Sequence, residues 1–592
     1  MRHNLAYLGS LPHGALEQVR THWLLDMVSI TRIEQGMPHY NFTQLDSFIE
    51  ELSSNGLKPG FEIMGNPSGF FSDFENLTQV HLWRDLVHDI AHRYIDMYGL
   101  GFVQTWNFET WNEPKMRHFD GLNFTIQGFL NYFDACWEGL KSASPSLRLG
   151  GPGGACVDHF NPRTYCWALL QHAHNGVNFF TGRRQRRLDY ISIHKKGSEP
   201  DNTEVMLEKE SAFVEILRKH LPQLLDIPIY NDEADPLVGW SKPRWWRADA
   251  TYAAVIAKVI VSHQRRWCHQ HTNEIGDTRV TFSLLSNDNG FLSYNPHFFT
   301  QRTLLARFQM NMTSPSHVHF IRKPAFGVMS LLGMLGETQV RSVMLDSTGA
   351  ALDDKGSLGV LATTHAPLDP RDTWRLSVLV YNSHDTHNVS GDTSLLVHFD
   401  QLPDSKDLTY MTHRLDNMHG NPYAVWLDAG QPVQPSGSVL QAMRDSQEAQ
   451  SEGPFPLFES SKGHVTFSWN VALPGVFLFH ACAKAPMPPD QVADLRVLNI
   501  TSGQVLVVWS DHCVHSRCLH TFEVEFCRHS EAGKYKRINT IDSIVTSYVF
   551  APETDGLAHG LADALVWGLY RVRAVDYWNR PSPYSLVTPY GP

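Results

Sequence analysis

Residues 106–114 read Trp106-Asn107-Phe108-Glu109-Thr110-Trp111-Asn112-Glu113-Pro114, the pattern of a buried β-strand that ends on a carboxylic acid. Side-chain alternation predicts Asn107, Glu109, Trp111 and Glu113 on one side, and Pro114, which cannot donate to a ladder, leaves Glu113 at the strand mouth. Outward from this run, short β-like stretches recur at Gln18–Leu25, Gly60–Gly65, Leu147–Gly151, Leu188–Lys196, Pro228–Glu233 and Val280–Asp288. Amphipathic helical stretches lie between them. In Thr78–Tyr98, Trp83, Leu86, Val87, Ile90, Tyr94 and Met97 keep a spacing near 3.6, and Gly99 supplies the stop. Strands alternating with helices over residues 1–337 predict a parallel sheet closed as a (β/α)8 TIM barrel. The count reaches seven strands, one short of eight.

After a helix-like Lys323–Gly336 the pattern changes to strands without intervening helices: Thr373–Tyr381, Leu395–Asp400, Leu408–Arg414, His464–Trp469 and Val476–His480. Residues 338–484 are therefore expected to form a β-sandwich. The Ser-, Gln- and Pro-rich Gln431–Gly453 reads as a surface loop, and Ala485-Pro-Met-Pro-Pro-Asp490 as a stiff linker. Residues 491–592 resemble a fibronectin type III, immunoglobulin-like sandwich. Trp509 lies in an early strand, and Tyr570-Arg-Val-Arg-Ala-Val-Asp576 has the spacing of a tyrosine corner.

Of the 592 residues 42% are hydrophobic and 19% charged, which excludes a disordered chain. No apolar run approaches the roughly 20 residues that span a bilayer, so no membrane span is expected. The net charge of −12 argues against a nucleic-acid partner, although protonating the 32 histidines would more than reverse it and favour a polyanion in an acidic compartment. None of the eight cysteines forms a CxxC pair, so no structural zinc site is expected. N-x-S/T sequons at Asn41, Asn76, Asn123, Asn311, Asn388 and Asn499 point to a secretory-pathway glycoprotein. The sequence begins Met-Arg-His-Asn-Leu, with no signal-peptide core.

About 120 residues after Glu113, Ile229-Tyr-Asn-Asp-Glu-Ala-Asp-Pro236 ends another strand on acids. Catalytic groups of barrels sit at the C-terminal ends of strands. Two carboxyls there suit glycoside hydrolysis, one donating a proton to the leaving oxygen and the other attacking or activating water. Plainer readings stay open: Asp232, Glu233 or Asp235 as a helix cap or surface charge, and Glu109 as a barrel-layer residue paired with an arginine.

Gln18-Val-Arg-Thr-His22-Trp-Leu-Leu25, Asn107–Pro114, Asp189-Tyr-Ile-Ser-Ile-His194, Tyr230–Trp240 and Leu285-Ser-Asn-Asp288 together resemble glycoside hydrolase family 39, over essentially the whole chain. The resemblance implies that Glu113 is the general acid/base and Glu233 the nucleophile of a retaining exo-glycosidase. It implies that Asn112 bonds the sugar 2-hydroxyl and that His22, His194 and Lys196 line the pocket. Asp288 and Arg302 would hold a uronic acid, with Gly239 offering a backbone contact. The implied substrate is terminal α-L-iduronic acid on the sulfated glycosaminoglycans dermatan sulfate and heparan sulfate, degraded in the lysosome with no metal or organic cofactor. The resemblance also places a signal peptide and a first barrel strand ahead of Arg2-His-Asn-Leu-Ala-Tyr7. A xylosidase of the same family, or a carbohydrate-binding protein with an inert barrel, are the competing readings.

Overall fold

The strand read from residues 106–114 is the third of seven parallel strands: β1 Gln18–Thr21, β2 Lys58–Glu62, β3 Asn107–Glu109, β4 Arg148–Gly154, β5 Tyr190–Ile193, β6 Ile229–Asn231 and β7 Phe282–Leu284. They come from a computed structural model that describes all residues except 117–118, 120, 240–241, 269–279, 285–297, 311, 313–315, 353–355, 401, 404–406, 458–463, 532 and 554–558. Each strand pairs with the next in chain order, so sequence order is spatial order. The connections carry helices α1 Thr43–Ser53, α2 Leu77–Tyr98, α3 Ile126–Ala143, α4 Tyr165–Asn175 and α5 Asn202–His220. This is the expected (β/α) barrel sheet. The central strands β3, β5 and β6 are apolar or buried along their length, as parallel strands covered on both faces must be.

α2 follows its predicted stripe. Trp83, Leu86, Val87, Ile90 and Tyr94 are buried, and Gly99, at φ +81°, closes the helix by donating its N–H to Ile95 O at 2.8 Å. Met97 is instead exposed, because the stripe leaves the core in the last turn. β3 is shorter than predicted. It ends at Glu109, and Glu113 sits at φ +41°, so the alternation that grouped Glu113 with Asn107 and Glu109 does not extend to it.

The chain divides into two compact units, residues 18–238 with 263–287, and residues 1–17, 239–262 and 288–592. The first holds the parallel sheet. The second holds a six-stranded antiparallel sheet, Thr338–Val340, Leu358–His365, Arg375–Asn382, Gly475–Ala483, Leu408–Asp416 and Gln450–Pro456, and the pair Gly391–Phe399 with Val465–Leu473. Val378, Val380, Trp469, Phe477 and Phe479 form the core of this sandwich. The stretch read as a loop at Gln431–Gly453 contains a helix, Gly437–Asp445, and the start of a strand. Ser436 caps that helix through Val439 N–H, and its Leu440 and Met443 are buried. Three apolar positions per two turns sufficed where composition suggested none.

The linker expected at Ala485–Asp490 has no regular structure and is tied at both ends, by Arg580 to Ala485 O at 2.8 Å and Arg371 to Asp490 at 2.5 Å. Beyond it, two sheets enclose Trp509, Phe522, Tyr570 and Val572. The Tyr570 hydroxyl donates to Val566 O at 2.6 Å, the tyrosine corner expected from spacing. Disulfides join Cys156 to Cys166 and Cys482 to Cys518, the second stapling this module to the sandwich. Sequons at Asn41, Asn76, Asn123, Asn388 and Asn499 are exposed; Asn311 lies outside the described residues.

Candidate active site

Glu113 reaches the mouth of the sheet through a turn. Its N–H donates to Gly153 O at 2.8 Å, and Gly153 N–H donates to Ser192 Oγ at 3.0 Å. Gly153 has φ +60°, and a Cβ there would meet Glu109 Oε1 at 3.0 Å, so glycine is needed on both counts. Glu233 follows β6 directly. One carboxylate oxygen from each of Glu113 and Glu233 and one ring nitrogen of His194 all lie within 4.8 Å of one another.

His194, at the end of β5, donates from Nδ1 to Glu113 Oε1 at 2.8 Å; the same nitrogen is 3.8 Å from Glu233 Oε2, and Nε2 is 3.5 Å from Asp232. The Lys196 ammonium pairs with Glu233 Oε2. Burial would raise the Glu233 carboxyl, but the charges of His194, Lys196 and Arg20 outweigh it and hold the group far below the usual carboxylate range. Burial likewise raises Glu113, yet the hydrogen bond and charge of His194 leave it below its ordinary value.

Beneath these groups Arg20 of β1 gathers four carboxylates: Glu109 at 2.7 Å, Glu62 at 2.8 Å, Asp232 at 3.2 Å and Glu233 at 3.6 Å. It also donates to Asn112 Oδ1 at 3.0 Å. Five acids meeting so few fixed cations cannot all ionise in a buried site. Asp232, wholly buried, is pushed well up by burial, which overcomes the pull of Arg20 and is reinforced by Glu109. Its proton is therefore held more tightly than on an ordinary carboxyl. Glu62 goes the other way: burial raises it, but Arg20 and His22 outweigh that and keep it ionised, and His22 Nδ1 lies 2.6 Å from its Oε2.

A second layer fixes the register of the two strands that carry Glu233, His194 and Lys196. The side chain of Asn231 accepts from Lys195 N–H at 3.0 Å and donates to Lys195 O at 2.7 Å, bridging β6 and the end of β5. Its amide also donates to Glu210 of α5 at 2.7 Å. Glu210 accepts from Trp267 Nε1 at 3.2 Å, and burial pushes its carboxyl up to about 7.

Of the residues singled out from sequence, His22, Asn112, Glu113, His194, Lys196 and Glu233 come together in the first compact unit. Asn112 is fully buried, and its Nδ2 has no hydrogen-bond partner among the described residues, leaving a donor beside the acid. Gly239 and Arg302 belong to the second unit. There Gly239, at φ +89°, accepts from Lys242 N–H at 3.1 Å and Arg247 at 3.4 Å, and Arg302 is buried. Asp288 lies outside the described residues. Glu109 takes the plainer reading, paired with an arginine; Asp232 is neither cap nor surface charge.

Arg20 and Glu62 were missed, and both had a signal. Arg20 stands two residues before His22 in one strand-like run, on the same face by alternation, and Glu62 is an acid at a strand end, the rule that found Glu113. As a metal site the trio Glu113, His194 and Glu233 is compromised, because the Lys196 ammonium occupies the Glu233 carboxylate and the nearby Arg20 charge repels a cation. The arrangement suits a reaction on a neutral or anionic group held between two unlike carboxyls.

Comparison with known proteins agrees with this chemistry. The family description Glycosyl hydrolases family 39 matches residues 2–466, and Alpha-L-iduronidase C-terminal domain matches residues 493–591. The chain is 46% identical to the α-L-iduronidase of Canis lupus familiaris over 591 residues, 99% of this chain and 86% of that protein. It is also 46% identical to that of Homo sapiens over 590 residues, 99% and 87% of the two. A solved bacterial orthologue of the human enzyme superposes with a TM-score of 0.84 at 28% identity, covering 100% of this chain and 94% of that one. With the family match spanning most of the chain and the paired carboxyls at the strand ends, the protein belongs to glycosyl hydrolase family 39.

Proposed function

We propose that the protein is a retaining exo-glycosidase that removes terminal α-L-iduronic acid from dermatan sulfate and heparan sulfate, in the lysosome and by way of the secretory pathway. The carrying observation is that one carboxylate oxygen of Glu113 approaches one of Glu233 within 4.8 Å, a nearest-oxygen approach that favours the closer of two known arrangements. Retaining enzymes hold their carboxyls about 5 to 5.5 Å apart, inverting ones roughly 6.5 to 9.5 Å to admit a water. Glu233, ionised between His194 and Lys196, attacks the anomeric carbon; Glu113 gives its proton to the leaving oxygen and takes one from water in the second step. In the role the family resemblance implies, Asn112 would bond the sugar 2-hydroxyl, which its unpartnered Nδ2 supports. The Lys196 charge would answer the uronate carboxylate. Likeness to the iduronidases supports the substrate; the exposed sequons and the two disulfides support the oxidising secretory route.

The test is hydrolysis of a fluorogenic α-L-iduronide beside a β-xyloside at acidic pH. Preference for the iduronide is expected. Glu233→Gln should abolish turnover of every substrate, whereas Glu113→Gln should retain turnover on leaving groups that need no proton. Preference for the xyloside would reject the substrate, and the opposite rescue pattern would exchange the two roles.

A further inference from the structure

Between α4 and β5 the chain forms a hairpin that the catalytic chemistry does not use. It contains Gly182-Arg-Arg-Gln-Arg-Arg187, four arginines in five residues. Val177 bridges Arg184 in antiparallel fashion, Asn178 N–H donates to Arg183 O and Gly182 N–H to Asn178 O, both at 2.9 Å. The buried Asn178 side chain accepts from Phe180 N–H at 2.9 Å and Thr181 N–H at 2.8 Å. At the base Arg187 is fully buried, paired with Asp134 at 3.1 Å and bonded to the carbonyls of His172, Gly176 and Gln185. One arginine thus anchors the hairpin, and Arg183, Arg184 and Arg186 are exposed.

These three charges are lightly neutralised. Arg183 has no side-chain partner among the described residues, Arg184 donates to Asn175 O at 2.9 Å, and Arg186 meets the exposed Asp226 at 2.6 Å. An exposed pair of that kind contributes little and exchanges readily for another anion. Phe180 in the same hairpin lies under the Arg84 guanidinium at 5.2 Å, which is itself paired with Asp85, and adds an apolar face.

We infer that this hairpin is a docking surface for a sulfated polysaccharide chain, separate from the catalytic pocket. Guanidinium forks match the oxygens of a sulfate, and short arginine-rich runs of this length are the pattern of heparin and nucleic-acid patches. On a chain of net charge −12 such a cluster stands out as a local field of opposite sign to its surroundings. The internal hydrogen bonds hold it in place before binding, so little ordering entropy remains to be lost. It precedes β5, at the N-terminal ends of the strands, whereas His194 follows β5, so a chain bound here leaves the pocket open. The choice of sulfate over nucleic acid rests on the secretory-pathway reading above.

The test is elution of the full chain from immobilised heparin at neutral pH. Arg183→Ala/Arg184→Ala should elute at lower salt than the parent, with the slope of log Kd against log salt reduced by roughly two, about one per lost contact. Its hydrolysis of a small iduronide should be unchanged. A charge-matched variant, Arg32→Ala/Arg163→Ala, both exposed on the same unit, should elute close to the parent. Equal elution of the hairpin variant and the parent, an equal shift in the charge-matched variant, or equal competition by desulfated heparin or a homopolymeric RNA would overturn the inference. Failure of the parent on the iduronide would instead reject the proposed activity, and the elution result would stand by itself.

Discussion

His194 donates from Nδ1 to Glu113 Oε1 at 2.8 Å, and this contact is the main reason that Glu113 lies below its ordinary value despite burial. A general acid must hold its proton, so kcat/KM falls as pH rises through the Glu113 value in the free enzyme. The bond to His194 therefore moves that limb towards acid. His194→Gln should move it to higher pH while lowering kcat, because burial would then dominate. A pH profile of kcat/KM on a small iduronide checks this; a limb that stays or moves to lower pH would contradict the assignment.

Arg20 is the shared counter-ion of Glu62, Glu109, Asp232 and Glu233. Removing it leaves buried carboxylates without compensation, a loss of roughly 3–5 kcal/mol for a broken buried pair. Arg20→Met should lower Tm strongly and abolish turnover. Arg20→Lys, which keeps the charge but not the fork, should recover part of the stability and little of the activity. Thermal unfolding of the two variants beside the parent decides it, and an unchanged Tm for Arg20→Met would refute the hub.

Glu210 holds its proton to about pH 7 in the folded chain, against an ordinary value of 4.5. Its contribution to stability is thus complete below about pH 4.5 and is lost as pH rises through 7, about 3 kcal/mol in all. Glu210→Gln lacks this dependence. The stability difference between the parent and Glu210→Gln, measured by denaturant unfolding, should favour the parent progressively as pH falls from 7.5 to 5. His263, 3.6 Å from Glu210 and pushed down to about 3 by burial, disfavours acid in both proteins, so only the difference is diagnostic.

Asn231 clamps Lys195 through two hydrogen bonds and so sets Glu233 against His194 and Lys196. Asn231→Ala should lower kcat far more than it raises KM, since misplacement of the reacting groups is felt in the transition state. Equal changes in both, or a change in KM alone, would show that the clamp does not serve the chemistry.

The individual parallel strands, α2 with its stop at Gly99, the sandwich strands, the Tyr570 corner and the two acids just beyond strand ends were legible in the sequence because each is written in residues close to one another. Periodicity, a glycine able to adopt positive φ and a proline that ends a ladder act locally. The rest depended on residues far apart in the chain. Arg20 meets Glu109 across 89 positions and His194 meets Glu113 across 81, and no local pattern states which charges will share a buried site. The lowered Glu233 carboxyl and the raised Asp232 carboxyl follow from that gathering, since burial and neighbouring charge act through space. The turn that takes Glu113 off the strand alternation requires Gly153 on the neighbouring strand, and the pairing of Cys482 with Cys518 requires two modules packed together. Sequence determined where the acids stand along the chain; the side-by-side packing of the strands decided which charges each of them meets.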